Sequence, residues 1–147
     1  VGLDVDDIDF SINGFKVIRK GGSQVVLYFS DEVAKALRAY LETRNSIKGL
    51  PESERALFLS LQKKRISTRA VQNLVKKYSS LVTPLKNISP HKLRSTYGTN
   101  LYRETKDIYV VADVLGHKDI NTTKKHYAAM TEDVRRAAAS KVKLRNE

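Results

Sequence analysis

The spacing of apolar residues changes near Ser30, and that change limits the fold more than any other feature of the chain. Before it, Ile8-Asp9-Phe10-Ser11-Ile12 alternates apolar and polar residues, Asn13-Gly14 interrupts, and Phe15-Lys16-Val17-Ile18 resumes. Alternation with period two suits a half-buried strand, and Asn-Gly between two such runs predicts a hairpin with a two-residue turn at positive φ. Lys20 ends the second run, Gly21-Gly22 supplies another turn, and Val25 to Phe29 reads as a third strand. The expected product is a small antiparallel meander with Lys20 beside its second turn.

Beyond Ser30 the apolar residues recur every third or fourth position, as on one face of a helix. Ser30 is placed to cap a helix with Asp31 and Glu32 in its first turn and Val33, Leu37, Tyr40 and Leu41 on one side, ending before Gly49-Leu50-Pro51. After the short apolar run Ala56 to Leu59, Ser67 is placed to cap a second helix bearing Val71, Leu74, Val75 and Tyr78, bounded by Pro84. Ser89 and Pro90 open a third helix, since proline lacks the amide hydrogen that goes unpaired at a first helical position, and Leu93, Tyr97 and Leu101 give its expected buried stripe. Asp107 begins a fourth, with Ile108, Val111, Ala112 and Leu115 on one face and Gly116 where a left-handed C-terminal cap belongs. A short helix from Asn121 or Thr122 carries His126 and Tyr127. A last basic helix over 132–145 spaces Val134, Ala138 and Val142 four apart. The expected fold class is α+β and mostly helical, with a three-stranded antiparallel sheet near the N-terminus.

A chain of 147 residues is expected to form one compact domain. There is no cysteine, so disulfides and thiolate metal sites are excluded. No apolar run approaches membrane-spanning length, and no signal-peptide pattern opens the chain, which predicts a soluble intracellular protein without a membrane partner. The formal net charge of +11 is divided unevenly. Residues 1 to 60 hold 8 Lys and Arg against 9 Asp and Glu, net −1, whereas residues 61 to 147 hold 19 against 7, net +12. A one-sided basic field suits a polyanion, because each phosphate neutralised releases counterions. Charge alone leaves DNA, RNA and acidic lipid open.

Two groups of residues have the right chemistry for a bound phosphate. His91 and Arg94 are three apart on the first turns of the third helix and project to one side, where unpaired amides and the helix dipole favour an anion. His117 follows Gly116 at the end of the fourth helix, and Tyr127 lies ten residues further on. Taken singly, His-x-x-Arg arises often by chance, and a lone tyrosine among seven is usually a packing residue. All three histidines (His91, His117, His126) nevertheless fall in this one region. Metal binding would want an acidic partner at a ligand spacing, and none is recognisable. Phosphoryl transfer asks for cations and donors around a pentacoordinate phosphate, a nucleophile and a proton donor, and these residues supply each.

Two stretches resemble the boxes of the tyrosine recombinase (phage integrase) family. His91-Lys92-Leu93-Arg94-Ser95-Thr96-Tyr97-Gly98-Thr99 is similar to its His-x-Leu-Arg-x-Thr box, and Leu115 to Thr123 with Tyr127 is similar to the box running from Leu-Gly-His to the tyrosine. Lys20 at the Gly21-Gly22 turn resembles the family's hairpin lysine, and Leu3 to Asp9 resembles the segment leading into that hairpin.

The resemblance implies the C-terminal catalytic domain of a site-specific recombinase that integrates or excises a mobile element. Tyr127 would attack a DNA phosphodiester, giving a 3′-phosphotyrosyl link and a free 5′-hydroxyl. It further implies that Arg94 and His117 contact the non-bridging oxygens, that His91 assists proton transfer and that Lys20 protonates the leaving oxygen. No metal or nucleotide cofactor is implied. Double-stranded DNA is the implied partner, with a tetrameric synapse joined through the C-terminal segment, accessory DNA-bending proteins, and action in a bacterial cytoplasm, at the nucleoid or from a phage. The family's first catalytic arginine belongs to a helix just before Leu3-Asp4, so the chain is expected to be a partial domain over 1–147, nearly inactive alone unless an arginine such as Arg19 or Arg69 takes that role. The family's N-terminal core-binding domain is likewise expected to be absent. A related type IB topoisomerase or resolution activity and a non-enzymatic DNA-binding module are the alternatives.

Overall fold

A computed structural model describes residues 1–117 and 120–141, apart from the side chains of Ile120, His126, Ala129, Met130, Thr131 and Ser140. Two compact units divide the chain, residues 1–90 and the residues from His91 onward.

The first unit opens on a single 3-10 turn, Val5–Asp7, and a meander of β1 (Ile8–Asp9), β2 (Gly14–Ile18) and β3 (Gln24–Tyr28). The strands are antiparallel in the order β1-β2-β3, with Ile8 opposite Phe15 and Lys16 opposite Val26. The meander agrees with the alternating pattern, but its first turn does not. Phe10 to Asn13 form that turn, and Gly14 is already in β2. Asp9 explains the difference, because its carboxylate accepts from the Ser11 amide at 2.9 Å and from the Ser11 hydroxyl, an Asx turn that ends β1 early. Asn13 takes the left-handed position at φ 49°, whereas Gly14 is buried in a space where an added Cβ would lie 3.0 Å from Ile12 Cδ1 and 3.2 Å from Val26 Cγ1. Glycine is there for room rather than for positive φ. Phe29 closes the sheet face against Phe15 at 6.2 Å and Phe10 at 6.1 Å between ring centroids.

Helix α1 (Asp31–Asn45) begins where Ser30 accepts from the Val33 amide at 3.3 Å. Leu37, Tyr40 and Leu41 are partly buried as the periodicity predicts, but Val33 is exposed, and the buried members are Ala34 and Arg44. Ala56 and Leu57 form the floor of this unit at 0% exposure. They pair with the leading segment, the Leu57 amide donating to Leu3 at 2.9 Å and the Val5 amide to Arg55 at 2.8 Å. The Tyr40 hydroxyl donates to the Leu57 carbonyl at 2.8 Å and accepts from the Leu59 amide at 3.1 Å. Arg44 crosses beneath the same segment, with Nε donating to the Ala56 carbonyl at 3.0 Å and Nη2 donating at 2.8 Å to the carbonyls of both Ala56 and Glu54. Helix α2 (Thr68–Val82) follows Ser67, which accepts from the Ala70 amide at 3.1 Å.

The second unit is helical: α3 (Pro90–Thr105), α4 (Ile108–Leu115), α5 (Ile120–His126) and α6 (Ala128–Lys141). Pro90 opens α3, and the Asp107 carboxylate caps α4 by accepting from Tyr109 at 2.9 Å and Val110 at 3.4 Å. Gly116 ends α4 at φ 72°. The Gly116 amide donates to Asp113 at 3.1 Å and the His117 amide to Ala112 at 2.9 Å, the paired bonds of a Schellman cap. Tyr102, Val111 and Tyr127 form the core, with Leu101, Ile108, Leu115 and Val134 packed around them.

The buried stripe of α3 differs from the expected one. Leu93 and Tyr97 are more than half exposed, and the buried positions are Gly98 and Tyr102. One residue rotates a helix face by about 100°, and the contact ridge runs through a glycine, which apolar spacing does not register. The last helix also starts earlier than 132, at Ala128. Val134 packs on the core and Ala138 is exposed, while Val142 lies outside the described residues. No helix among the described residues is long and apolar enough to cross a membrane.

Candidate active site

Within the second unit, a cleft of about 370 Å³ is lined by His91, Arg94, Ser95, Thr99, Leu115, His117 and Tyr127. Four of these are residues singled out from sequence, brought to one place by α3 (His91 and Arg94), the end of α4 (His117) and the break between α5 and α6 (Tyr127). His91 is on the first turn of α3 and Arg94 on the next, both exposed. Ser95 and Thr99, which stand in the first box without an assigned role because hydroxyls at helical spacing carry no distinct signature in sequence, join this lining. Arg94 Nη2 donates to the Leu115 carbonyl, one of those left at the end of α4. That bond ties the guanidinium to the helix end that carries His117, while occupying a single donor of its fork.

His117 is aimed by local chemistry. The left-handed Gly116 turns the chain off α4, and the His117 ring Nδ1 lies 2.5 Å from Thr123 Oγ1 on α5. Thr123 is completely buried. Its importance was not legible in the sequence, where Thr122 and Thr123 look alike and only packing separates them, Thr122 being exposed.

Tyr127 occupies the one-residue break between α5 and α6, with its amide donating to the Thr123 carbonyl at 3.1 Å. Its side chain is 7% exposed and stacks on Tyr102, ring centroids 5.8 Å apart and planes 21° from parallel. The hydroxyl end lies over the backbone of Gly98. A Cβ at that position would fall well inside contact of Tyr127 Oη, 3.3 Å from its Cζ and 3.0 Å from Leu115 Cδ1. Gly98 therefore provides the space in which the phenol sits. The ring is held as a core residue, and the same side chain lines the cleft.

Lys20 belongs to the first unit. It is exposed in the turn between β2 and β3, where Gly21 and Gly22 take φ of 100° and 89° and the Arg19 amide donates to Ser23 at 2.8 Å. The hairpin lysine is thus on a turn, as expected. Lys118 and Asp119 of the motif, and the side chain of His126, lie outside the described residues.

The phage integrase family model matches residues 1–133. Among curated relatives, tyrosine recombinase XerC of Thermodesulfovibrio yellowstonii is 34% identical over 125 residues, 83% of this chain and 42% of that protein. Tyrosine recombinase XerD of Staphylococcus epidermidis is 28% identical over 136 residues, 92% of this chain and 46% of that protein. The chain spans less than half the length of either. Among solved structures, the XerA recombinase superposes with a TM-score of 0.77 at 25% identity, covering 98% of this chain and 52% of that one. The XerH site-specific recombinase, bound to a palindromic difH substrate in a post-cleavage complex, gives 0.75 at 18% identity over 93% of this chain and 39% of that one. The tyrosine recombinase catalytic fold is shared with these structures, and the chain belongs to the phage integrase family.

Proposed function

We propose that this chain is catalytic-domain sequence from a site-specific DNA recombinase, and that Tyr127 is its nucleophile. The Tyr127 oxygen attacks a backbone phosphorus, the bond from phosphorus to the 5′-oxygen breaks, and a 3′-phosphotyrosyl link remains. The phenolic proton leaves with the help of His91, and the departing 5′-oxygen takes a proton from Lys20. Arg94 and His117 hold the non-bridging oxygens, where negative charge grows in the transition state. The phosphodiester energy is retained in the covalent link, so a 5′-hydroxyl from a second strand reverses the step and completes strand exchange. Double-stranded DNA is the substrate. A homotetrameric synapse joined through the C-terminal segment, acting in a bacterial cytoplasm, completes the reading.

The observation that carries this reading is the convergence of His91, Arg94, His117 and Tyr127 on one cleft. A basic second half adds the field that a polyanion needs, net +12 over residues 61 to 147. The test is to trap a covalent adduct on a nicked suicide substrate with the full-length protein. Wild type should accumulate the adduct, and Tyr127→Phe should abolish it, a loss on the order of a millionfold as when a serine hydrolase loses its nucleophile. DNA affinity and folding should stay near wild type, because the ring that stacks on Tyr102 is kept. An adduct persisting in Tyr127→Phe would remove Tyr127 from the role. Relaxation of one supercoiled duplex without exchange between two sites would favour a topoisomerase-like enzyme instead.

A further inference from the structure

We infer that Thr123 is a positioning residue for His117, holding its ring so that Nε2 carries the proton and faces the cleft. The inference deepens the proposed function and rests on it for its catalytic consequence. Thr123 is 0% exposed, and a buried hydroxyl without a partner is costly, so its hydrogen bond is expected to be fully formed. Its Oγ1 lies 2.5 Å from His117 Nδ1. The backbone of His117 is fixed separately, by the Schellman bonds to Ala112 and Asp113 that end α4. What the cap leaves undetermined is the rotation and tautomer of the imidazole, and the Thr123 hydroxyl bears on both.

The direction of the bond follows from what the cleft must bind. His91, Arg94 and His117 line a cavity meant for an anion, and a histidine is useful there when it presents an N–H. The Thr123 hydroxyl donates to Nδ1. That leaves the proton on Nε2, so the imidazole presents an N–H to the cleft without taking up a second proton. The same residue steadies the tyrosine, because the Thr123 carbonyl accepts from the Tyr127 amide at 3.1 Å. One buried threonine therefore ties the histidine by its side chain and the nucleophile by its backbone, and only the first tie is lost on removing the hydroxyl. A threonine that merely filled the core would be replaced by valine at no functional cost.

The test compares Thr123→Val and Thr123→Ser in the full-length protein. Long-range nitrogen–proton spectra of histidine-labelled protein should show His117 as the Nε2–H tautomer in wild type and Thr123→Ser, and as a mixture of tautomers in Thr123→Val. On the suicide substrate, Thr123→Val should lower the maximal cleavage rate by about ten- to a hundredfold with DNA affinity within about twofold, and Thr123→Ser should restore most of it. An Nδ1–H tautomer in wild type overturns the inference. So does a Thr123→Val protein with unchanged tautomer and wild-type cleavage. If wild type forms no adduct at Tyr127, the proposed reaction fails, while the spectra still decide whether Thr123 sets the ring.

Discussion

Arg44 in the first unit and Arg94 in the second are both arginines on amphipathic helices, yet they are used in opposite ways. Arg44 is 5% exposed, and its guanidinium is taken up by the carbonyls of Glu54 and Ala56. Arg94 is exposed at the mouth of a cleft and gives a single described bond, to the Leu115 carbonyl. The first unit uses its buried cation to staple a loop beneath α1. The second fills its core with neutral groups, Thr123 and the paired rings of Tyr102 and Tyr127, and among the described residues its lysines and arginines are exposed. Residue type is the same in both cases. What separates the two is how many backbone carbonyls surround the guanidinium.

That contrast predicts where each substitution will act. Arg94→Ala should lower covalent adduct formation by about a hundredfold to a thousandfold, the usual consequence of losing one preorganised donor to a developing oxyanion. Its thermal midpoint should move little, since only one exposed bond is lost. A large loss of stability with unchanged cleavage would make Arg94 a second Arg44. Lys20→Ala tests whether the first unit enters the chemistry at all. If Lys20 protonates the leaving oxygen, cleavage should fall about a hundredfold or more. A substrate with sulfur at the scissile 5′-position should restore it, because a thiolate leaves without that proton. No rescue by sulfur would confine the chemistry to the second unit.

Elements governed by local chemistry were legible in the sequence. Ser30, Ser67 and Asp107 cap the helices they were expected to cap, Pro90 opens α3 and Gly116 takes the left-handed turn, because each depends on a few neighbouring residues. The lining of the cleft by His91, Arg94, His117 and Tyr127 was legible only through the family's boxes, since nothing in their spacing requires helices α3 to α6 to meet. Features set by packing were missed. Asp9 draws the Ser11 amide into an Asx turn and shortens β1, a competition between side chain and strand that alternation cannot weigh. Gly98 turns α3 by one position toward Tyr127, and Arg44 goes under a loop that the sequence places no closer than any other. Thr123 was quoted within a motif, but its burial depends on α5 packing in the fold.

Arg44→Met measures the structural side of the comparison. Methionine keeps the length and apolar stem of arginine but leaves the carbonyls of Ala56 and Glu54 without these donors. Each buried acceptor left unsatisfied costs about 1–3 kcal/mol, so the loss should be about 2–4 kcal/mol by chemical denaturation. Hydrogen exchange should rise first at Leu57 and Val5, whose amides pair across the loop that Arg44 holds. Unchanged stability would mean that the guanidinium is incidental to that loop.

The smallest expected effect on stability sharpens the comparison most, because it sets one glycine of each unit against the other. Gly14 and Gly98 are both buried, and neither takes a left-handed φ, so in both cases alanine is a question of room. At Gly14 the nearest atom is the tip of Ile12, a flexible end on a half-turn loop that can shift by a few tenths of an ångström. At Gly98 the nearest atom is Tyr127 Oη, on a rigid ring already backed by Tyr102, with Leu115 Cδ1 at 3.0 Å on the other side. Gly14→Ala should therefore change stability by less than about 1 kcal/mol, with better strand propensity offsetting the tight contact. Gly98→Ala should cost about 1–3 kcal/mol of overpacking, offset in part by the roughly 1 kcal/mol that alanine gains over glycine within a helix. The net loss is modest, but its position is not, because the ring can relieve the clash only by moving the phenol. Covalent adduct formation should fall at least about tenfold in Gly98→Ala while DNA affinity holds, and should be unaffected in Gly14→Ala. Equal cleavage by the two variants would mean that the tyrosine finds the phosphate from another position, and that the close packing of its hydroxyl on α3 has no part in the reaction.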